Sequence, residues 1–108
     1  MPETTHWVYI LNCENGTFYT GYTTDVAKRY QSHVAGTGGC KYTRSFKPLG
    51  IAQSWRVLGS KSEALKLEAY IKKLSRQQKI QLIEQPQTLV EVYPCEPSSS
   101  FLADFRVE

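Results

Sequence analysis

Tyr9, Tyr19 and Arg29 stand at intervals of ten residues, and His33 follows Arg29 by one helical turn. Two phenols and a guanidinium converging from neighbouring elements form a set suited to gripping and polarising a phosphate. The planar fork of Arg29 can hold two phosphate oxygens and stabilise charge as it develops on them. An imidazole on the same helix face can orient a phenol or donate to phosphate. Each residue also has an ordinary alternative. A tyrosine in an apolar strand is usually core with a wet hydroxyl. Arg29 can pair with Asp25 at i,i+4, worth about 0.2–0.5 kcal/mol. Glu68, one of two acids in a basic stretch, can pair with Lys72 in the same way.

These groups need elements to position them. Trp7–Cys13 is apolar and β-prone, Glu14-Asn15-Gly16 carries an Asn-Gly turn signal, and Thr17–Tyr22 is rich in Thr and Tyr, which together predict a β-hairpin. Thr24 or Asp25 can cap a helix from Val26 to about Ala35, ended by Gly36, with Val26, Tyr30, His33 and Val34 on one stripe. A Gly-rich basic loop, Thr37 to Arg44, leads to Lys47-Pro48 and a third strand over Ile51–Leu58. Ser60-Lys61-Ser62-Glu63 fits a capping box and predicts a helix to Leu74; Ser75-Arg76-Gln77-Gln78 repeats it and starts another, ending before Pro86. The order β-β-α-β-α-α describes a small α/β (α+β) domain, a three-stranded antiparallel sheet with helices packed on it. Residues 1–85 make this domain and 86–108 a C-terminal extension, partly mobile, in which Leu89–Tyr93 is a candidate edge strand.

At 108 residues, 41% hydrophobic and 12% aromatic, the chain fits one folded globular domain. Its longest apolar run, Trp7–Leu11, is far short of the about 20 residues that span a bilayer. Its first residues lack the basic start and apolar stretch of a signal peptide, so the expected location is the cytoplasm. Cys13, Cys40 and Cys95 are odd in number and widely spaced, which argues for reduced thiols rather than a disulfide or zinc framework. The net charge of +3 is unevenly spread. Residues 1–27 hold three acids and no Lys or Arg, residues 28–79 hold twelve Lys/Arg against Glu63 and Glu68, and residues 80–108 hold five acids and Arg106. So basic a middle segment suits a polyanion, because each neutralised phosphate releases condensed counterions.

Val8-Tyr9-Ile10 and Tyr19-Thr20-Gly21, followed by Arg29, His33 and Glu68, resemble the motifs of the GIY-YIG nuclease superfamily. The match covers about residues 6–84. It is most similar to the short single-domain bacterial branch and to the nuclease domain of the SLX structure-specific endonuclease, through Arg29-x-x-x-His33 and Gly38 to Arg44. Trp7-Val8 stands where the first motif has Gly-Ile, and Thr20 where the second has Ile; neither change removes a reactive atom. Some relatives place a lysine where this chain has Tyr22, and others an asparagine after the glutamate, whereas no Asn follows Asn15 here.

The resemblance implies hydrolysis of phosphodiester bonds in DNA, with RNA not excluded, supported by a single divalent cation, Mg²⁺ or Mn²⁺. Glu68 and waters would hold the cation, Tyr9 would take the proton of the attacking water, Arg29 would bind the phosphate, and Tyr19 and His33 would complete the hydrogen-bond network. A free phenol has a pKa of about 10, so Tyr9 needs a neighbouring cation that favours its phenolate. A hard cation that keeps most of its waters is served by one carboxylate. Lys28, Lys41, Arg44 and Lys47 would track the nucleic-acid backbone, and Tyr42 would stack on an unpaired base. The leading expectation is an endonuclease acting on branched, flapped or single-stranded structures in repair or recombination. The alternative, from another class, is a nucleic-acid-binding or partner-docking module that keeps the fold but does little chemistry. A protein partner supplying target choice is compatible with either.

Overall fold

A computed structural model describes residues 4–14, 16–35 and 47–98. Strand β1 (His6–Cys13) is the spine of the molecule and pairs antiparallel with β2 (Phe18–Thr23) on one side and β3 (Pro48–Val57) on the other. Its alternating side chains feed two separate clusters, as the period of two requires. Val8 and Ile10 point to one face and Tyr9, Leu11 and Cys13 to the other. Both faces are covered, so the strand reads as a continuous apolar run rather than as an alternation.

One face carries α1 (Val26–Ala35), packed through Val26 and Tyr30 on Tyr9, Leu11, Cys13 and Ile51. Of the two candidate caps, Asp25 does the work: its Oδ1 accepts the Lys28 N–H at 3.0 Å. Val26 and His33 are buried while Val34 is half exposed, so the apolar stripe is narrower than its sequence suggests. The opposite face carries α2 (Lys61–Lys72) and α3 (Arg76–Glu84), whose Ala64, Leu67, Ile71 and Leu82 close over Val8, Ile10, Trp55 and Val57. Ser60 accepts the Glu63 N–H at 3.4 Å. At α3 the box is reciprocal: Ser75 Oγ accepts from Gln78 N–H at 3.2 Å and Gln78 Oε1 from Ser75 N–H at 2.9 Å. The turn between β1 and β2 uses Gly16 at φ 78°, a left-handed conformation that glycine adopts without penalty.

The sheet has four strands in the order β2-β1-β3-β4, which corrects the expected three. The expected edge strand at Leu89–Tyr93 is instead a 3₁₀ helix (Pro86–Glu91) and turn, and the fourth strand, β4, is Cys95–Pro97, paired with Trp55–Val57. Pro86 opens that helix at a position where its missing N–H costs nothing. This stretch is built into the core. Leu89 and Cys95 are buried in the α2/α3 cluster, and the Pro86 carbonyl accepts the indole N–H of the fully buried Trp55 at 3.0 Å. Ser98 extends the pairing, its N–H donating to the Ser54 carbonyl and its carbonyl accepting from Ser54 Oγ.

Candidate active site

Tyr9 lies at the middle of β1, only 2% exposed, facing α1. Its hydroxyl is 2.8 Å from His33 Nε2, a buried bond joining strand to helix. The Tyr19 ring lies 4.9 Å from the His33 ring at 63°, and 6.5 Å from the Tyr9 ring. Three of the residues singled out in the sequence therefore form one aromatic cluster. Arg29 stands one turn before His33 on α1, half-buried, close enough to act electrostatically on the imidazole.

That environment sets the charge state of His33. Burial first, and the Arg29 guanidinium second, push its pKa down from 6.5 to about 4. The imidazole is neutral at pH 7. In the tautomer with its proton on Nδ1, Nε2 accepts a hydrogen bond from the Tyr9 hydroxyl, and the ring becomes a proton acceptor behind the phenol.

The glycine of the second motif has a packing role that spacing alone did not reveal. Gly21 is the cross-strand partner of Tyr9. A Cβ at Gly21 would fall 2.4 Å from the Tyr9 hydroxyl oxygen and 2.6 Å from Cζ, closer than any real contact. The tyrosine ring lies on the space where a side chain would be. Thr20, its neighbour, points to the other face, 4% exposed, and among the described residues its Oγ1 has no hydrogen-bond partner. It sits where the motif ordinarily carries Ile, in a slot that an apolar side chain fits. The sequence also did not show that Tyr22 is engaged with His6, hydroxyl to Nδ1 at 2.8 Å with the rings stacked.

Glu68 stands apart from this cluster in the layering. It belongs to α2, which packs on β1 and β2 from the face opposite α1. Its side chain is 19% exposed, and the carboxylate lies 3.6 Å from Lys72 Nζ, the i,i+4 pair its spacing allows. Because β2 is the edge of the sheet, both layers border the same rim. Among the described residues no group of three His, Cys, Asp or Glu side chains gathers to hold a metal ion. A single half-buried carboxylate is nonetheless the donor set that suits a hydrated hard cation, so the residues present fit one such ion at Glu68. Lys28 and Lys47 are exposed, Lys28 in the first turn of α1 and Lys47 beside the β1–β2 turn through Glu14. Lys41, Tyr42 and Arg44 lie outside the described residues.

The chain that builds this sheet, with a buried tyrosine on β1, a tyrosine–x–glycine segment on β2 and an arginine–histidine helix across them, matches the family model of the GIY-YIG catalytic domain over residues 5–81. The chain belongs to that family, a nuclease superfamily. It is similar to the UPF0213 protein BH0048 of Halalkalibacterium halodurans, with 47% identity over 72% of this chain and 81% of that one. It is likewise similar to the UPF0213 protein Reut_B5558 of Cupriavidus pinatubonensis, with 51% identity over 76% of this chain and 92% of that one. A solution NMR structure of BH0048 covers 75% of this chain and 84% of its own at 44% identity, with a TM-score of 0.45. No described helix is long and apolar enough to cross a membrane.

Proposed function

We propose that this protein is a divalent-metal-dependent endonuclease that hydrolyses phosphodiester bonds in DNA at branched, flapped or single-stranded structures, in repair or recombination. The observation that carries the reading is the buried hydrogen bond between Tyr9 and a neutral His33, with Tyr19 and Arg29 on the same face. A buried phenol is a poor base by itself, because desolvation disfavours its anion. A neutral imidazole behind it removes that difficulty. As Tyr9 takes the proton of the attacking water, its own proton passes to His33 Nε2, and no free phenolate has to exist beforehand. Arg29 holds the phosphate and stabilises the charge growing on its oxygens. Tyr19 packs on the imidazole edge and keeps it in register. Glu68 is the residue that would hold Mg²⁺ or Mn²⁺; when bound, the cation supplies Lewis-acid polarisation of the phosphate. Lys28, Lys41, Arg44 and Lys47 track the backbone and Tyr42 stacks on an unpaired base, while a protein partner supplies target choice.

The pairing of Glu68 with Lys72 favours a second reading, in which the fold binds nucleic acid or a partner and cuts little. Labelled flaps, forks, single strands and duplexes of DNA, with RNA counterparts, incubated with Mg²⁺ or Mn²⁺ separate the two. The nuclease reading expects cleavage by the parent and none by Glu68→Ala. Binding without cleavage in either metal on every structure would establish the second reading in its place.

A further inference from the structure

Outside the tyrosine–histidine face, a pocket of about 200 Å³ opens between the β1–β2 turn and the start of α3, lined by Thr17, Phe18, Arg76 and Lys79. No acid lines it. The acid of the turn, Glu14, is occupied elsewhere, its Oε1 accepting the Lys47 N–H. The Arg76 guanidinium lies over the Phe18 ring, with Cζ 5.0 Å from the centroid, and one of its N–H groups donates to the Gly16 carbonyl. The stacking and the hydrogen bond hold the guanidinium plane in place. Its remaining donors are available to a ligand with little further loss of side-chain freedom. Half-buried Lys79 adds a point charge one turn along α3. Beyond Lys72, which pairs with Glu68, the run from Lys73 to Lys79 holds three cations and no acid, which makes the local charge positive.

Phe18 and Tyr19 are adjacent on the edge strand and point to opposite faces. The pocket and the catalytic face therefore lie back to back across the β2 edge of the sheet. A nucleic-acid strand bound at Tyr19 and Arg29 that turns around β2 meets Arg76 and Lys79 next. We infer that this pocket is a second phosphate-binding subsite, taking a backbone phosphate away from the scissile one. The inference rests on the nuclease reading above and names a contact that reading does not contain. Arg76 grips the phosphate oxygens as a fork and Lys79 neutralises the group. Such a contact positions the strand without reading its sequence.

The test compares the full-length protein with Arg76→Gln/Lys79→Gln and with Lys61→Gln/Lys66→Gln, which removes the same charge from the exposed side of α2. Binding of labelled single-stranded and duplex DNA is followed by anisotropy in EDTA, across about 50 to about 200 mM salt. The pocket variant is expected to weaken binding roughly tenfold on every sequence and to lower the slope of log K against log salt by about 1, the loss of one phosphate contact. The α2 variant is expected to change the slope by much less. Circular dichroism and melting of both variants, together with Lys79→Gln alone, which keeps the Arg76–Phe18 stack, separate lost contact from lost fold. Equal behaviour of the two double variants overturns the subsite and leaves the nuclease reading standing. A parent that binds no nucleic acid overturns both.

Discussion

At the residue scale, the candidate site turns on the hydrogen bond between the Tyr9 hydroxyl and His33 Nε2. Tyr9→Phe deletes one oxygen and keeps the ring that packs against α1, so the fold should survive. Cleavage should fall by about 10²–10⁴, the usual worth of an acid–base group. Single-turnover rates across neutral pH check this; a variant as fast as the parent would make Tyr9 a packing residue. Gly21→Ala asks a complementary question, because its new methyl would occupy the volume of the Tyr9 hydroxyl. It should cost activity and stability together, read as a lower melting temperature alongside slower cleavage. Thr20→Val should do the reverse for stability. Removing a buried hydroxyl without a partner gains about 1 kcal/mol, visible in the denaturation midpoint. The spacing of Tyr9, Tyr19, Arg29 and His33 was enough to bring these residues to one place. Gly21 and Thr20 could not be read so fully, because one depends on a ring arriving from the neighbouring strand and the other on what the opposite layer offers.

At the scale of elements, local signals carried most of the fold. Asp25, Ser60 and Ser75 each cap the helix that follows, because a cap needs only the next three residues to act. The turn at Gly16 was legible for the same reason. Strand β4 was not: three residues are too few to show a period, and Cys95–Pro97 is a strand only because Trp55–Val57 presents an edge to it. Leu89-Val90-Glu91-Val92-Tyr93 has the β-prone residues of an edge strand, yet Pro86 starts a 3₁₀ helix that runs to Glu91 and Leu89 turns into the core. The described residues of the C-terminal extension, through Ser98, therefore pack on the same core as residues before 85. A chain ending at Gln85 loses the buried Leu89 and Cys95 and strips Trp55 of its acceptor. Losing Leu89 alone costs about 2–5 kcal/mol, a large share of the 5–15 kcal/mol that holds a domain this size. That truncation should lose its cooperative melt, whereas a chain ending at Ser98 should keep it.

At the scale of the whole molecule, the charge division along the chain was visible in the sequence, but the layering was not. Nothing in the spacing of His33 and Glu68 says that the sheet lies between the helices bearing them; that follows from which side of β1 each helix covers. The same layering makes stability depend on pH through His33, which bonds the α1 layer to the sheet. Its folded pKa, about 4, is below the 6.5 of an exposed imidazole. The folded state therefore resists protonation that the unfolded chain accepts. Above pH 6.5 both states are neutral and the group leaves stability unchanged. As pH falls from 6.5 the unfolded chain gains a proton, stability declines, and the loss levels off below pH 4 at on the order of 3 kcal/mol. Carboxylates begin to contribute below about pH 5, so the clean window is pH 5 to 6.5. There, urea unfolding of the parent should show a midpoint that falls with acidity. His33→Gln, which cannot take up a proton, should show a lower but nearly flat midpoint. Parallel curves for the two proteins would mean that His33 titrates alike in both states, and that its imidazole is not held neutral behind Tyr9.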